Sequence, residues 1–426
     1  MFELFIRDKW RAFAYASVLA MFLIGAIANS RMISMVAFGV GCGVVLIQRW
    51  NPFPFLFLLF SYANIIKLGV GSSSLFTYLC MFVLLWWFLR RMTIKGSFLA
   101  LLLFFFVYLI SVDSNSMLVS FKLVVNLLLI YCFADDLNDE TMHDSVMLLA
   151  DGLILSLALS NVDWFFNRII GYMRVVSFQT GTDITRSCGL FDDPNYCTLA
   201  ITTTISVLLV LYYKKKTTVL FWPRCVLLAA FGMMTYSKSY AFVMIAIVLF
   251  AVMFIIPKRN KGALAVVLLA LSIFAYFAAN GRVEAVNRIL DRFERLELTS
   301  GRTETNILYL QYLNENIKAF LVGDGITITT IPTYSNNVHN LPIELIQRIG
   351  IIGTVLLLSS IMSALPRVSC KKKLVGFLPL VCVFVQYLAL AGLTSYALPF
   401  YVMLSYASIR VTAGFSATLT SANARY

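Results

Sequence analysis

Charge is what this sequence lacks most. Asp, Glu, Lys and Arg make up 13% of the chain, roughly half the share of an ordinary soluble protein. With 60% of its residues hydrophobic, a soluble globular domain is excluded, because water does not solvate that much surplus apolar surface. Histidine occurs only at His143 and His339, and no Cys/His spacing suggests a metal site. Cysteines Cys42, Cys80, Cys132, Cys225 and Cys382 fall inside apolar blocks, where a thiol is a small core residue. Cys188 and Cys197 could meet outside the membrane, but free thiols are the expectation there too. No small-x-small cleavage site follows the first apolar block, which ends at Asn29, Ser30 and Arg31, so that block reads as an uncleaved span. No internal repeat is visible, which weighs against a transporter built from duplicated halves.

What is present is a succession of apolar blocks about 15 to 22 residues long, the length a helix needs to cross about 30 Å of hydrocarbon. Spans are expected near 12–28, 32–48, 52–66, 74–89, 97–112, 117–133, 144–160, 195–213, 222–237, 240–256, 262–279, 343–364, 374–390 and 393–410, the third having the weakest signal. The net charge of +13 sorts by side of the membrane, which removes a nucleic-acid reading. A cytoplasmic amino terminus puts Arg7/Lys9/Arg11, Arg90/Arg91/Lys95, Lys214 to Lys216, Lys258/Arg259/Lys261 and Arg367/Lys371 to Lys373 all inside. The short outer loops then hold only Arg31, Lys67 and Lys238. The expected fold is all-α: a polytopic helical membrane protein with about 14 transmembrane helices, both termini cytoplasmic, and a long extracytoplasmic loop containing short helices.

The chain divides into an amino-terminal bundle (1–160), spans with a first long outer loop at 161–194 (161–279), an extracytoplasmic loop (280–342) and closing spans with a short cytoplasmic tail (343–426). Both long loops exceed what a connector needs, so function is expected there. In the second, Val286, Ile289, Leu290 and Phe293 recur at helical spacing within a charged stretch and predict an amphipathic helix over about 282–297. A further helix is predicted over 305–320, then a turn at Gly323, Asp324 and Gly325 and an irregular, Thr- and Ser-rich segment over 326–337.

The outer loops set cations above the bundle: Arg168, Arg174 and Arg186 in the first, Lys238 in a short neighbour, and Arg282, Arg288, Arg292, Arg295, Arg302 and Lys318 in the second. Guanidinium groups bind phosphate oxygens bidentately, so together these could line a site for a lipid pyrophosphate, although a single exposed arginine more often meets a headgroup or carboxylate. His339, just before a return into the membrane, is the candidate general base, since an imidazole titrates near neutrality. His143 lies in an acidic cytoplasmic loop and reads as solvated. Asp193, Pro194 and Asn195 form a helix-start signal beside Arg186. Inside the membrane, Lys122, Asp151, Glu344 and Arg348 need partners; Lys122 with Asp151 is the expected pair, and Glu344 is placed to bond His339 or a sugar.

These outer-loop residues resemble the O-antigen ligase and O-antigen polymerase superfamily. The likeness rests on the stretch Arg186 to Asn195, on Ser300, Gly301 and Arg302 followed by a helix, on the Gly323-Asp324-Gly325 turn, on His339-Asn340, and on Gly350 and Gly353 in the next span. It covers about 186–355. Where the family has a Ser-Arg pair opening a later span, this chain has Ser237 and Lys238, which keeps the charge but loses the planar fork. The tryptophan that many ligases carry after the Gly-Arg pair is absent.

The resemblance implies inverting glycosyl transfer from a polyprenyl-pyrophosphate-linked oligosaccharide, without cofactor or metal, at the outer face of a bacterial cytoplasmic membrane. It casts Arg186 and Arg302 as pyrophosphate contacts and His339 as the catalytic base, with Lys238, Asn340, Asp193, Asn195 and Glu344 as substrate-binding candidates. The Ser300 to Glu304 stretch looks more like polymerases of capsule and exopolysaccharide clusters than like ligases. The expectation is therefore a polymerase, with a chain-length regulator and a flippase as candidate partners besides membrane lipids. The alternatives are a ligase passing glycan to a lipid A core or protein, and a lipid-linked oligosaccharide flippase.

Overall fold

The computed structural model describes residues 1–47, 50–69, 72–91, 94–172, 187–216, 219–295, 302–334, 337–365, 374–390, 393 and 397–413. Helices α1 (Phe2–Arg7), α2 (Lys9–Ile27), α3 (Arg31–Leu46), α4 (Phe53–Phe60), α5 (Leu75–Arg91), α6 (Gly96–Val112), α7 (Met117–Asp136), α8 (Asp139–Ser160) and α9 (Asp163–Ile169) form the first half. Then come α10 (Pro194–Tyr213), α11 (Phe221–Met233), α12 (Lys238–Phe250), which runs through a π-helical turn into α13 (Ile256–Arg259), and α14 (Lys261–Ala279). The loop helices are α15 (Glu284–Arg295), α16 (Arg302–Glu315) and α17 (Ile317–Val322), and the chain closes with α18 (Leu341–Ala364), α19 (Leu378–Tyr387) and α20 (Leu398–Ala413). No strand occurs among the described residues, only two isolated bridges.

A helix forms in each of the fourteen expected segments, and seven of the described helices are long and apolar enough to cross a membrane. Apolar surface faces outward on a scale no soluble protein shows: α14 buries none of its residues, and Val266, Leu269 and Tyr276 on it are more than 60% exposed. The chain is a helical bundle of membrane-protein type. The segment 52–66 departs from its expected span, because its helix is α4, eight residues long and about 12 Å at 1.5 Å per residue. All eight of those residues are buried, Gly152 of α8 lets the backbone of Leu58 approach, and Tyr62 and Asn64 turn the chain by bonding to Gly152 O and Leu190 O (both 3.1 Å). Cys188 and Cys197 form no disulfide with each other.

At the end of the bundle away from α15–α17, charges close on one another. Asp144 takes Arg7 and Arg11, the latter at 3.2 Å, and half-buried His143 sits 3.5 Å from the same carboxylate rather than in solvent. Asp151 is held by Arg224 (Nε to Oδ1 2.7 Å, Nη2 to Oδ2 3.0 Å), which also grips Glu3 of α1 at 2.7 Å. The expected Lys122–Asp151 pair is therefore incorrect: Lys122 lies on an exposed face of α7. Similar depth along two helices says nothing about the direction in which each side chain points.

The opposite, loop-bearing end is built on an interruption. At Gly350 the backbone of α18 leaves helical geometry (φ 65°, ψ 178°). The interrupted carbonyls of Gln347 and Arg348 are answered by the N–H groups of Asp324 (2.9 Å) and Gly325 (3.0 Å). Gly323 (φ 90°) packs backbone to backbone here, where a side chain would fall 2.5 Å from Arg348 O. From α6, the Tyr108 hydroxyl sits 2.8 Å from Val322 O and 2.9 Å from Ile349 O and donates its one proton between them. The helix read over 305–320 is two, α16 and α17, broken at Asn316. They close a small core of their own with Tyr309, Leu313, Ala319, Ile331, Val338 and Ile343.

Gly350→Ala forces a side chain into a glycine-only conformation, 2.4 Å from Leu321 O, and is expected to cost at least about 2 kcal/mol. Tyr108→Phe removes only the bridging hydroxyl and should cost about 1 kcal/mol. Thermal unfolding of the detergent-solubilised protein checks both; a Gly350→Ala variant that melts with the wild type would show that the break is dispensable.

Candidate functional site

Helix N-termini gather at the loop-bearing end, and each carries residues that the sequence singles out. Asp193 caps α10, its Oδ1 accepting from Asn195 N (2.6 Å), with Pro194 at the first position as the helix-start signal predicts. Asn195 Oδ1 accepts from the Ser237 hydroxyl (2.9 Å), and Ser237 opens α12, whose first residue is Lys238. Lys238 is buried, its Nζ 5.1 Å from the centre of the Phe293 ring of α15, and Phe293 meets Phe242 edge-on at 5.6 Å. The amphipathic helix read from sequence is thus α15, docked on α12. Arg302 is the first residue of α16, and Asn340 caps α18, accepting from Ile343 N (3.2 Å). His339 stands between that cap and Val338, which the small core anchors.

Arg302 is half-buried and gives Nη1 to the carbonyl of Ala389 (2.8 Å). Among the described residues it has no carboxylate within ion-pair distance, and a cation answered only by a neutral carbonyl keeps most of its donors for an anion. Burial pulls its pKa below the usual arginine value, while Asp193 and Tyr196 pull it back up. His339 is solvent-accessible on its surface, yet enough protein surrounds the ring that desolvation lowers its pKa, with Arg302 lowering it further and Asp193 opposing. The imidazole, the guanidinium and the capping carboxylate therefore lie within electrostatic reach of one another.

Glu344 does not stand alone for a sugar: it is buried and pairs with Arg348 one turn on (3.0 Å), while its other oxygen accepts from Leu393 N (3.3 Å). Of the predicted site, Arg302, His339 and Asp193 come together, with Asn340 beside His339. Lys238 and Asn195 join through Ser237, and Arg186 lies outside the described residues, as do Arg174, Ser300 and Gly301. Sequence reasoning missed Tyr196, which lies within reach of Glu344, Asp193, Arg302 and Arg348. Its place one turn inside the Asp-Pro-Asn start was the available signal. The Glu344–Arg348 pair was readable from its i, i+4 spacing.

A half-open cleft of about 540 Å³ lies elsewhere on this end, lined by Ser111, Tyr312, Glu315, Asn316, Lys318 and Asp324 among others, and none of Arg302, His339 and Lys238 borders it. The arrangement around Arg302 can bind an anion, since helix N-termini and arginines both favour negative charge, and can offer a neutral imidazole beside it. The chain matches no family model, no curated protein and no solved structure.

Proposed function

We propose that the protein is a glycosyltransferase at the outer face of a bacterial cytoplasmic membrane, a polysaccharide polymerase that moves a growing glycan from polyprenyl pyrophosphate to a lipid-linked repeat unit. The observation that carries the reading is the meeting of Arg302, which has no carboxylate partner among the described residues, with His339 at gathered helix N-termini. The order of Arg302, the glycine turn, His339 and the Gly350 break along the chain supports it, being the order that resembles the O-antigen polymerase and ligase superfamily.

In this mechanism the acceptor hydroxyl attacks the anomeric carbon from the face opposite the pyrophosphate. His339 takes the hydroxyl proton as the new C–O bond forms. The bond from the anomeric carbon to the pyrophosphate oxygen breaks, and Arg302 answers the charge that collects there. Arg186 and Lys238 are the further candidate cations of this reading, and Asp193, Asn195 and Asn340 stand at the starts of α10 and α18.

Purified protein given lipid-linked repeat units alone is expected to make a ladder of products; a single transfer that needs an added lipid A core would instead indicate a ligase. His339→Ala should lower elongation by about a hundredfold or more with membrane levels unchanged, and Arg302→Ala by a similar factor; normal elongation by His339→Ala would remove the proposed base. Lys238→Arg should be near normal and Lys238→Ala impaired, measured on the same ladder.

The base works as neutral imidazole, and its pKa is lowered, so activity should be full at neutral pH and fall as pH drops through a midpoint below about 6.5. Asp193→Asn keeps a good cap but deletes the charge that raises the imidazole's pKa. The acid midpoint of the rate should then move lower still; a midpoint that rises would contradict the assignment.

A further inference from the structure

Arg348 takes no part in the chemistry described so far, and its surroundings do not satisfy it. It is 8% exposed. Nη2 meets Glu344 at 3.0 Å and Nη1 reaches Ile326 O only at 3.4 Å. Its Nε–H has no acceptor among the described residues, although a buried guanidinium is costly unless its donors are answered. The side chain shares a space with the site: Tyr196 feels Arg302, Arg348, Glu344 and Asp193 together. Tyr387, 2% exposed, lies within electrostatic reach of Tyr196 and Glu344, and its hydroxyl is likewise without a partner among the described residues.

We propose that Arg348 is a second guanidinium of the anion site, and that Glu344 occupies it as a resident carboxylate until the diphosphate of a prenyl diphosphate takes its place. A carboxylate presents two acceptor oxygens to Arg348 much as a phosphate does, so the pair is a filled version of the site. Exchange costs no new burial of Arg348, because the helix break at Gly350 and the clamped carbonyl of Arg348 fix its backbone in either state. Glu344 keeps a second anchor in Leu393 N when it lets go. The assignment rests on the proposed donor chemistry.

The experiment is calorimetric titration of the full-length, detergent-purified protein with farnesyl diphosphate, a water-soluble prenyl diphosphate, alongside inorganic pyrophosphate and a short-chain phosphatidylglycerol. Arg348→Gln should weaken farnesyl diphosphate roughly tenfold or more, the worth of one charge-assisted hydrogen bond, with Arg348→Lys in between. Glu344→Gln, which removes the competing charge, should bind it tighter than wild type. If Arg302→Gln loses affinity while Arg348→Gln binds like wild type, Arg348 is not part of the site and the glycosyltransferase reading stands. Should Arg348→Gln fail to fold, Glu344→Gln decides: unchanged or weaker binding, with a lowered melting temperature, makes the pair structural only. Phosphatidylglycerol competing as well as farnesyl diphosphate would assign a lipid headgroup instead, and a wild type that binds no diphosphate would overturn both the site and the donor.

Discussion

Two backbone carbonyls, those of Gln347 and Arg348, organise the loop-bearing end of this protein. A helix that stops at Gly350 frees them, and the 323–325 turn answers them, so a loop that would otherwise ride above the bundle is bonded to a helix inside it. From that fixed point the order of the site follows. Asp324, held at 2.9 Å by the Tyr312 hydroxyl and at 3.1 Å by Gln347 Nε2, sets α16 against the first part of α18. The small core around Tyr309 and Val338 then fixes the approach of His339, and the first turn of α16 brings in Arg302.

The two ends of the bundle treat charge in opposite ways. Away from the loops, Asp144 and Asp151 each hold arginine at close range, and Arg224, 2% exposed, has carboxylates on two sides. Such closed sets fix helices to one another and offer nothing to a ligand. At the loop end Arg302 rests on a carbonyl and Arg348 keeps an unanswered Nε–H among the described residues. Incomplete satisfaction of a buried cation is a standing cost, and a protein tolerates that cost most readily where an anion visits.

Much of the fold was legible because hydrophobic block length is a strong signal: a helix forms in each apolar block. The exception is instructive. Segment 52–66 is apolar apart from Ser61, Tyr62 and Asn64, but α4 is only eight residues of it, because an apolar run reports burial and not whether the burial is in lipid or in protein. For the candidate site, residue type alone singled out Arg302 and His339, and the fold sets them within electrostatic reach of one another. Partners on different helices were not legible, since they depend on azimuth around each helix: Asp151 meets Arg224 rather than Lys122. The Gly350 break left a trace in the sequence, a glycine three residues before Gly353, yet nothing in that trace says which loop fills the gap.

Desolvation first and then a positive field set the charge state of the imidazole, and the proposed mechanism draws on both. Each helix N-terminus there adds about half a unit of positive charge, and Arg302 lies within reach of His339. A second positive charge on the ring would have to form against that field, so the neutral form persists at neutral pH, which suits a group that accepts a proton and not one that donates it. Asp193 moderates the effect by raising the pKa, which in the proposed mechanism keeps the ring basic enough to accept a proton. Because Asp193 is tied to the start of α10 by its cap to Asn195, one carboxylate both holds a helix in place and raises the pKa of the imidazole.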